Sequence, residues 1–323
     1  MKRGRGVFCA LLLVAGSAWG QGAAQFPDKP LRLVVTFAPG GNSDILARAV
    51  GPKLTEAWGK SVVVDNRSGG GGVIATEIVA KSAPDGYTIL VGSTGELSIN
   101  PGLFQKLPYD VERDFAPVTL GTVSPLLFIA HPSFPGKTIK ELVELAKAKP
   151  GSISYASIGI GSPMHLAGEL LKQTAGINLT HVPYKGGAPA TAAVLGNEVP
   201  VGFAGIGPAI PHVRAGRARA IGVSTVKRAT ALPEVPTFAE QGLAGFDMSI
   251  WFAFVVPRAT PRDVVTKLNG ELTRVLRTPD TIERLTATGV DVVPTTPAAL
   301  GEFIRAESVK YKKVIDAAGI KPE

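Results

Sequence analysis

Short runs rich in Val, Ile, Leu and Phe alternate along this chain with segments in which apolar residues recur every three or four positions. Leu31–Phe37 is followed by Ile45–Trp58, Ser61–Val64 by Val73–Lys81, and Thr88–Gly92 closes the first series. Runs of the first kind suit strands covered on both faces and segments of the second suit helices lying on them, so the rhythm predicts βαβ units around a parallel sheet. Pro117–Val123 and Leu126–Ala130 stand on either side of Ser124-Pro125 and read as two strands of a crossover. A helix over Ile139–Lys147 is started by Thr138 and stopped by Pro150-Gly151. A second α/β unit runs from Ile153 to Thr225, with strands at 153–157, 179–182, 199–203 and 218–224 and helices at 163–174 and 188–195. Helices near 261–276, 279–287 and 297–317 must then pack somewhere, most simply by returning to the first unit. No repeat or low-complexity tract interrupts the pattern, which excludes a solenoid.

The first residues belong to a different class. Lys2, Arg3 and Arg5 precede an apolar run from Val7 to Trp19, with the small residues Ala18 and Gly20 around Trp19. This is the layout of a secretory signal peptide, too short for the ~20 residues that cross a bilayer, and it predicts cleavage after Gly20. Cys9 sits too early for a lipoprotein box, so no membrane anchor is expected. Removing the first 20 of 323 residues leaves no cysteine, which excludes disulfides, thiolate nucleophiles and cysteine metal sites. It also leaves more chain than one core usually supports, which favours two lobes. The formal charge of +8 includes the three leader cations, and the remaining Lys and Arg are scattered. A nucleic-acid partner is therefore not expected, whereas a small anion fits the sign.

Three glycine-rich segments stand between a strand and a helix. In Phe37-Ala38-Pro39-Gly40-Gly41-Asn42-Ser43-Asp44 the glycines let the backbone turn tightly, and the first N–H groups of the following helix point outward unpaired. Such a terminus suits a carboxylate or phosphate. The plainer alternative is a tight turn with Asn42 or Ser43 as cap and Asp44 set against the helix dipole. No Lys follows the glycines, so this is not a nucleotide P-loop. In Gly159-Ile160-Gly161-Ser162-Pro163-Met164-His165, Ser162 is a good cap and Pro163 suits the first helical position. Ser157, Ser162 and His165 could converge there on an anion, or the segment is an ordinary capped helix. Two facing helix starts in different lobes would make a cleft for one anionic molecule. The third segment, Gly70-x-Gly72-x-x-Ala75, imitates a dinucleotide fingerprint, but the next strand ends in Gly-Ser without an acidic residue, so a packing turn and no cofactor are expected.

Catalytic constellations are missing from the pattern. There is no Gly-x-Ser-x-Gly, and His131, His165, His181 and His212 lack metal-ligand spacing. No metal is expected. His181 reads as a satisfied residue inside an apolar strand, His131 and His212 as surface or loop residues.

At these positions the chain resembles the Bug-type periplasmic solute-binding receptors of tripartite tricarboxylate transporters. The resemblance runs from about Phe26 to Ile320. It rests on Ala38-Pro39-Gly40-Gly41 with Asp44, Asn66-Arg67, Pro84-Asp85-Gly86-Tyr87-Thr88, Asn100-Pro101, Asp114-Phe115-x-Pro117-Val118, Tyr155-Ala156-Ser157, Gly161-Ser162-x-x-His165-Leu166, Val182-Pro183-Tyr184-Lys185-Gly186 and Leu232-Pro233-x-Val235-Pro236-Thr237. It implies a type II periplasmic-binding-protein fold, two α/β lobes around a ligand cleft, with lobe 1 over 26–123 plus 226–323 and lobe 2 over 124–225. Hinges are expected near Thr119–Thr122 and Ile221–Thr225.

What the resemblance implies for the site is a carboxylate held between Phe37, Ala38, Pro39, Gly40, Gly41, Asn42 and Asp44 on one side and Ser157, Gly159, Gly161, Ser162 and His165 on the other. Ser93, Thr94, Tyr184, Lys185, Phe203 and Ala204 are expected to face it as well. Gly40, Gly41 and Gly161 would donate N–H groups, and Ser157, Ser162 and Thr94 hydroxyls, while Asp44 would fix the loop or hold a water. His165 has a second reading as a residue packed under its loop, and Tyr184 and Lys185 as a packing residue and an exposed cation. Glu96 replaces an uncharged residue or histidine. It is either a helix-start residue facing solvent or a cleft carboxylate that disfavours di- and tricarboxylates. The implied role is a monomeric periplasmic receptor that delivers a small carboxylate to a tripartite permease or signals occupancy to a sensor kinase. A periplasmic hydrolase or an adhesin on the same scaffold are the competing readings.

Overall fold

The computed structural model describes residues 26–321, so the expected leader at 1–20 and Cys9 lie outside the described residues. The first half alternates strand and helix: β1 (Leu31–Val35), α1 (Asn42–Trp58), β2 (Val62–Asn66), a glycine turn at Gly70–Gly72, α2 (Val73–Ala80) and β3 (Thr88–Ser93). A wide helical turn, Gly95–Ile99, runs into α3 (Asn100–Leu103), and α4 (Val111–Asp114) leads into the long β4 (Phe115–Ala130). The second unit comprises α5 (Ile139–Ala148), β5 (Ser154–Ser157), α6 (Pro163–Ala175), β6 (Thr180–Pro183), α7 (Gly187–Leu195), β7 (Val201–Gly205), α8 (Ile206–Arg214) and β8 (Arg219–Val223). The chain ends with β9 (Ser249–Pro257), α9 (Arg262–Leu276), α10 (Pro279–Thr286), the short β10 (Asp291–Val292) and α11 (Pro297–Ala318).

Two lobes share β4. In the first, the strand order is β2-β1-β3-β9-β4, with β1 parallel to both neighbours and β9 antiparallel to β3 and β4. In the second, β4 continues against β7, and β5 lies parallel between β7 and β6. Alternate residues of each sheet feed opposite cores, as the pleat requires. Leu33, Val35, Ile89, Val91 and Phe254 pack under α1 and α9, while Val34, Leu90, Trp251 and Val255 pack under α2 and α11. In the second lobe Phe128, Tyr155 and Phe203 pack on the α6 side, and Leu127, Ala156 and Ala204 on the α7 side.

Three features depart from the sequence expectations. The two strands expected around Ser124-Pro125 are one 16-residue strand. Pro125, which has no N–H, sits at the last rung of the ladder with β9 and so breaks no bond. Strand β9 and helix α8 were not expected, and β9 is the inner strand that joins β3 to β4. Finally, the chain does not return to the first lobe at 226. Ala229, Leu232 and Val235 join one core of the second lobe and Phe238, Phe246 and Met248 the other. The return comes at Ser249, and α11 straddles both lobes, with Leu300 and Ile304 in one core and Tyr311, Val314 and Ile315 in the other.

Candidate functional site

Strand registers fix where the site lies. Ser93, the last residue of β3, pairs with Phe252 of β9, and Phe252 pairs with Thr122 of β4. Gly205, the last residue of β7, pairs with Leu126 of the same β4. The carboxyl ends of the two sets of parallel strands therefore stop four residues apart along one strand, about 13 Å, and point toward each other. Loops at carboxyl ends of parallel strands are where α/β proteins bind ligands. Here those loops are 36–44, 67–72 and 93–103 from one lobe, and 158–162, 184–186 and 206–208 from the other. They touch: the Gly161 loop lies against Leu103, so closely that a Cβ on Gly161 would come within 2.5 Å of its Cδ2.

The first loop is braced by Asp44, as the sequence suggested. Its buried carboxylate accepts the Gly40 N–H at 3.0 Å and the Arg48 Nε–H at 3.0 Å. Arg48 reaches on to Asn66, whose Nδ2 donates to the Phe37 carbonyl at 2.9 Å. Burial opposes ionisation of Asp44, but Arg48 and the Gly40 amide outweigh it and hold the carboxyl below its usual range. The amides expected to donate to a ligand are thus engaged within the protein. Gly40 serves Asp44, Gly41 donates to the Ala38 carbonyl at 3.3 Å, and Gly161 donates to His165 Nδ1 at 3.1 Å. The open donors are instead the N–H groups of Asn42, Ser43 and Asp44. They form the first turn of α1, which has no side-chain cap, and they find no acceptor among the described residues. The Ser43 hydroxyl, also buried, has no partner either.

The hydroxyls are similarly committed. Thr94 Oγ1 accepts the Trp251 N–H at 2.7 Å and so ties the turn to β9 rather than facing the cleft. Ser162 caps α6, accepting the His165 N–H at 3.2 Å and donating to the Gly159 carbonyl at 2.7 Å. Ser157 Oγ meets His181 Nε2 at 2.6 Å and braces Gly159. A Ser–His contact is the start of a hydrolytic site, but Ser157 has no exposed surface and cannot meet a substrate. His181 stacks on His165 at 3.9 Å, and burial pushes His181 down to about 4 and lowers His165, so both rings are neutral near pH 7. His165 takes the packing role: its Nδ1 accepts, and its Nε2 faces Glu169 at 3.7 Å.

Phe203 departs from expectation outright. Its ring is in the core between Phe128 and Phe238, and Ala204 is buried on the opposite face of the same strand. Tyr184 is half-buried against the α7-side core, and Lys185 is exposed without a partner among the described residues. Glu96 fits neither of its two readings, since it is completely buried beneath the first lobe's loops. One residue was missed. Ile160 is 40% exposed at the tip of the second loop, as Phe37 is at the first, so each loop offers a bare apolar side chain beside its polar groups. A hollow of about 590 Å³ between α8 and α10 is lined by residues such as Arg214 and Glu283 and not by these loops.

Against known proteins, residues 46–320 match the family model described as tripartite tricarboxylate transporter family receptor. Protein BugT of Bordetella pertussis is 34% identical over 98% of this chain and 96% of its own length. The solved structure of R. palustris Rpa4515 with adipate is 34% identical, with a TM-score of 0.80 over 92% of this chain and 100% of that one. MatC from Rhodopseudomonas palustris with bound malate is 33% identical, with a TM-score of 0.75 over 90% of this chain and 100% of that one.

Proposed function

The chain belongs to the tripartite tricarboxylate transporter receptor family, a group of solute-binding proteins that includes Bug receptors, and on that premise we propose that it captures a small dicarboxylate between its lobes in the periplasm. The observation that carries this reading is the uncapped start of α1. Three N–H groups at the start of this helix find no acceptor among the described residues, and the field at a helix N-terminus favours one carboxylate. The short carbon chain lies between Phe37 and Ile160, and the far carboxylate lies on the side of Lys185. Among the residues expected at the site, Gly40, Gly41, Asp44, Ser157, Gly161, Ser162 and His165 shape the loops. Asn42, Ser43 and Asp44 contribute the donating amides. Relatives solved with adipate and malate support an acid of this size. The loaded receptor delivers to a tripartite permease or reports to a sensor kinase.

Calorimetry with adipate and malate is expected to give roughly micromolar affinity, about −8 kcal/mol. The corresponding diamides should bind at least about 100-fold more weakly, because they cannot place a charge on the helix start. Equal affinity of acid and amide would overturn the reading.

Closure is expected to accompany capture. The chain crosses between lobes in β4 near 123/124, in β9 near 248/249 and again along α11, and the first two crossings are tied by Ser224, whose Oγ accepts the Leu126 N–H at 2.8 Å and donates to the Met248 carbonyl at 2.5 Å. Bending at 122–126 and 249–252 brings the loops together around the ligand. Small-angle scattering should show a smaller radius of gyration with saturating adipate, and an unchanged radius would rule out closure.

A further inference from the structure

Glu96 is an unusual residue to find beneath an anion site. It has no exposed surface, and no Lys, Arg or His pairs with it among the described residues. Its partner is Ser93, one turn back at the cleft end of β3. Oε1 accepts the Ser93 N–H at 2.7 Å and Oε2 accepts the Ser93 hydroxyl at 2.8 Å. Ser93 Oγ in turn accepts the Gly95 N–H at 3.3 Å. The carboxyl is wedged in place: Gly72 adopts φ +89°, and a Cβ there would stand 2.9 Å from Oε2. Thr36, the residue that enters the first ligand loop, lies beside the same glycine, and its buried hydroxyl helps to favour the ionised Glu96 carboxylate, as the Ser93 hydroxyl does. The glycine turn, the end of β1 and β3 itself bring no charged side chain to it, and on α11, which packs against the Gly95–Ile99 turn, the buried Glu307 is taken up by Trp251 Nε1 at 3.1 Å and by Lys310. The titratable group that faces it is Tyr109, whose hydroxyl donates to the Glu96 carbonyl at 2.9 Å.

The direction of the Ser93–Glu96 bond depends on one proton. When Glu96 is ionised, Ser93 spends its only O–H inward and shows the cleft a lone pair, which repels a carboxylate. When Glu96 is protonated, its O–H donates to Ser93 Oγ, and the Ser93 proton is released to point outward. Oε1 keeps the Ser93 N–H in both states. We propose that Glu96 is a positioning residue that couples capture of the anionic ligand to uptake of one proton from solvent, by reversing its hydrogen bond to Ser93 so that Ser93 donates to a ligand carboxylate. This inference rests on the dicarboxylate reading above. The proton is available where it is needed, since burial pushes Glu96 up to about 7 against the pull of backbone hydrogen bonding and of the Ser93 and Thr36 hydroxyls. Protonation also removes the repulsion that a fixed charge under the site would exert on a dianion.

If only the protonated form binds well, the apparent affinity scales with its population, so binding of adipate or malate should weaken about ten-fold between pH 6 and pH 8. At pH 8, where the uptake is read, both acids are dianions and contribute no proton of their own. Calorimetry in buffers of different ionisation heat should then show uptake approaching one proton per ligand at pH 8. Glu96→Gln places a permanent N–H donor on Ser93, and its binding should become independent of pH over the same range with no proton uptake. Ser93→Ala should bind more weakly and lose most of the pH dependence, keeping only the smaller part that charge repulsion from Glu96 supplies. Far-ultraviolet melts establish that each variant is folded, and the two-buffer experiment on the unaltered protein decides the matter without them. Binding with flat affinity and no proton uptake overturns the relay alone. Absence of binding by either acid at both pH values overturns the dicarboxylate reading beneath it.

Discussion

Gly168→Ala is expected to lower the unfolding midpoint, although a view of the helix alone predicts the opposite. Alanine in place of glycine in the middle of α6 gains up to ~1 kcal/mol of helix propensity and restricts the unfolded chain. The added Cβ, however, would stand 2.1 Å from Tyr155 Cε2 and 2.5 Å from its hydroxyl oxygen. Tyr155 cannot retreat, because it is fully buried between α6 and the sheet. Its hydroxyl donates to Glu169 at 3.0 Å and its ring lies 5.1 Å from His181. Overpacking of this kind costs about 3 kcal/mol at the upper end of its usual range, and a chain of this size should lose roughly 5 to 10 °C. Thermal unfolding by circular dichroism gives the sign directly, and a raised midpoint would show that the helix can shift away. Adding Tyr155→Leu should recover part of the loss, since neighbours that share a volume do not act additively. Dicarboxylate affinity should fall with Gly168→Ala as well, because displaced Tyr155 disturbs His181 and through it Ser157.

The βα rhythm was legible because its signals are local. Thr138 and Ser162 cap their helices as their positions suggested, accepting from Glu141 N at 3.1 Å and His165 N at 3.2 Å. Gly59 and Gly176 end α1 and α6 in the left-handed region. β9 was not legible, since Ser249–Pro257 is an unbroken apolar run whose partners, β3 and β4, lie more than a hundred residues earlier. Without the pairing, nothing distinguishes such a run from a stretch of buried helix. The same limit applies within the site. Glycine content located the loops, but which amide stays free depends on what Asp44, the Ala38 carbonyl and His165 reach once folded. Phe203 was misplaced because β7 ends at the cleft while its own side chain points into the core, a matter of face and not of position along the strand. Glu96 looked like a first-turn acid meant for solvent. Its burial follows from the approach of Gly72, 24 positions earlier in the chain, which only a residue without a Cβ permits.

Asp44→Ala should weaken dicarboxylate binding, and the competing expectation is again of opposite sign. Asp44 is an anion in the first turn of the helix at whose start we propose the ligand carboxylate sits, so charge alone predicts tighter binding when it is removed. Its bonds predict the reverse. The carboxylate takes the Gly40 N–H and both Arg48 contacts at 3.0 Å, and Arg48 and Asn66 carry the brace to the Phe37 carbonyl. Without it a backbone N–H loses its acceptor and the loop between Phe37 and the helix start loses its internal tie. A buried donor left unpaired costs about 1–3 kcal/mol. The loosened loop must then be reordered on binding, so affinity for adipate should drop at least about ten-fold, equivalent to roughly 1.4 kcal/mol. Stability carries an independent signature. Because Asp44 is held below its usual range, its contribution is fully present above the unfolded value near pH 4 and disappears as the pH falls through the lower folded value. The gap between Asp44→Ala and the unaltered protein in urea unfolding should therefore be widest near neutral pH and narrow as the pH falls below the unfolded value. A gap that is constant with pH would mean that the lost packing, and not the charge-bonded brace, is what Asp44 supplies. Tighter binding in the variant would mean that repulsion and not loop order governs the site.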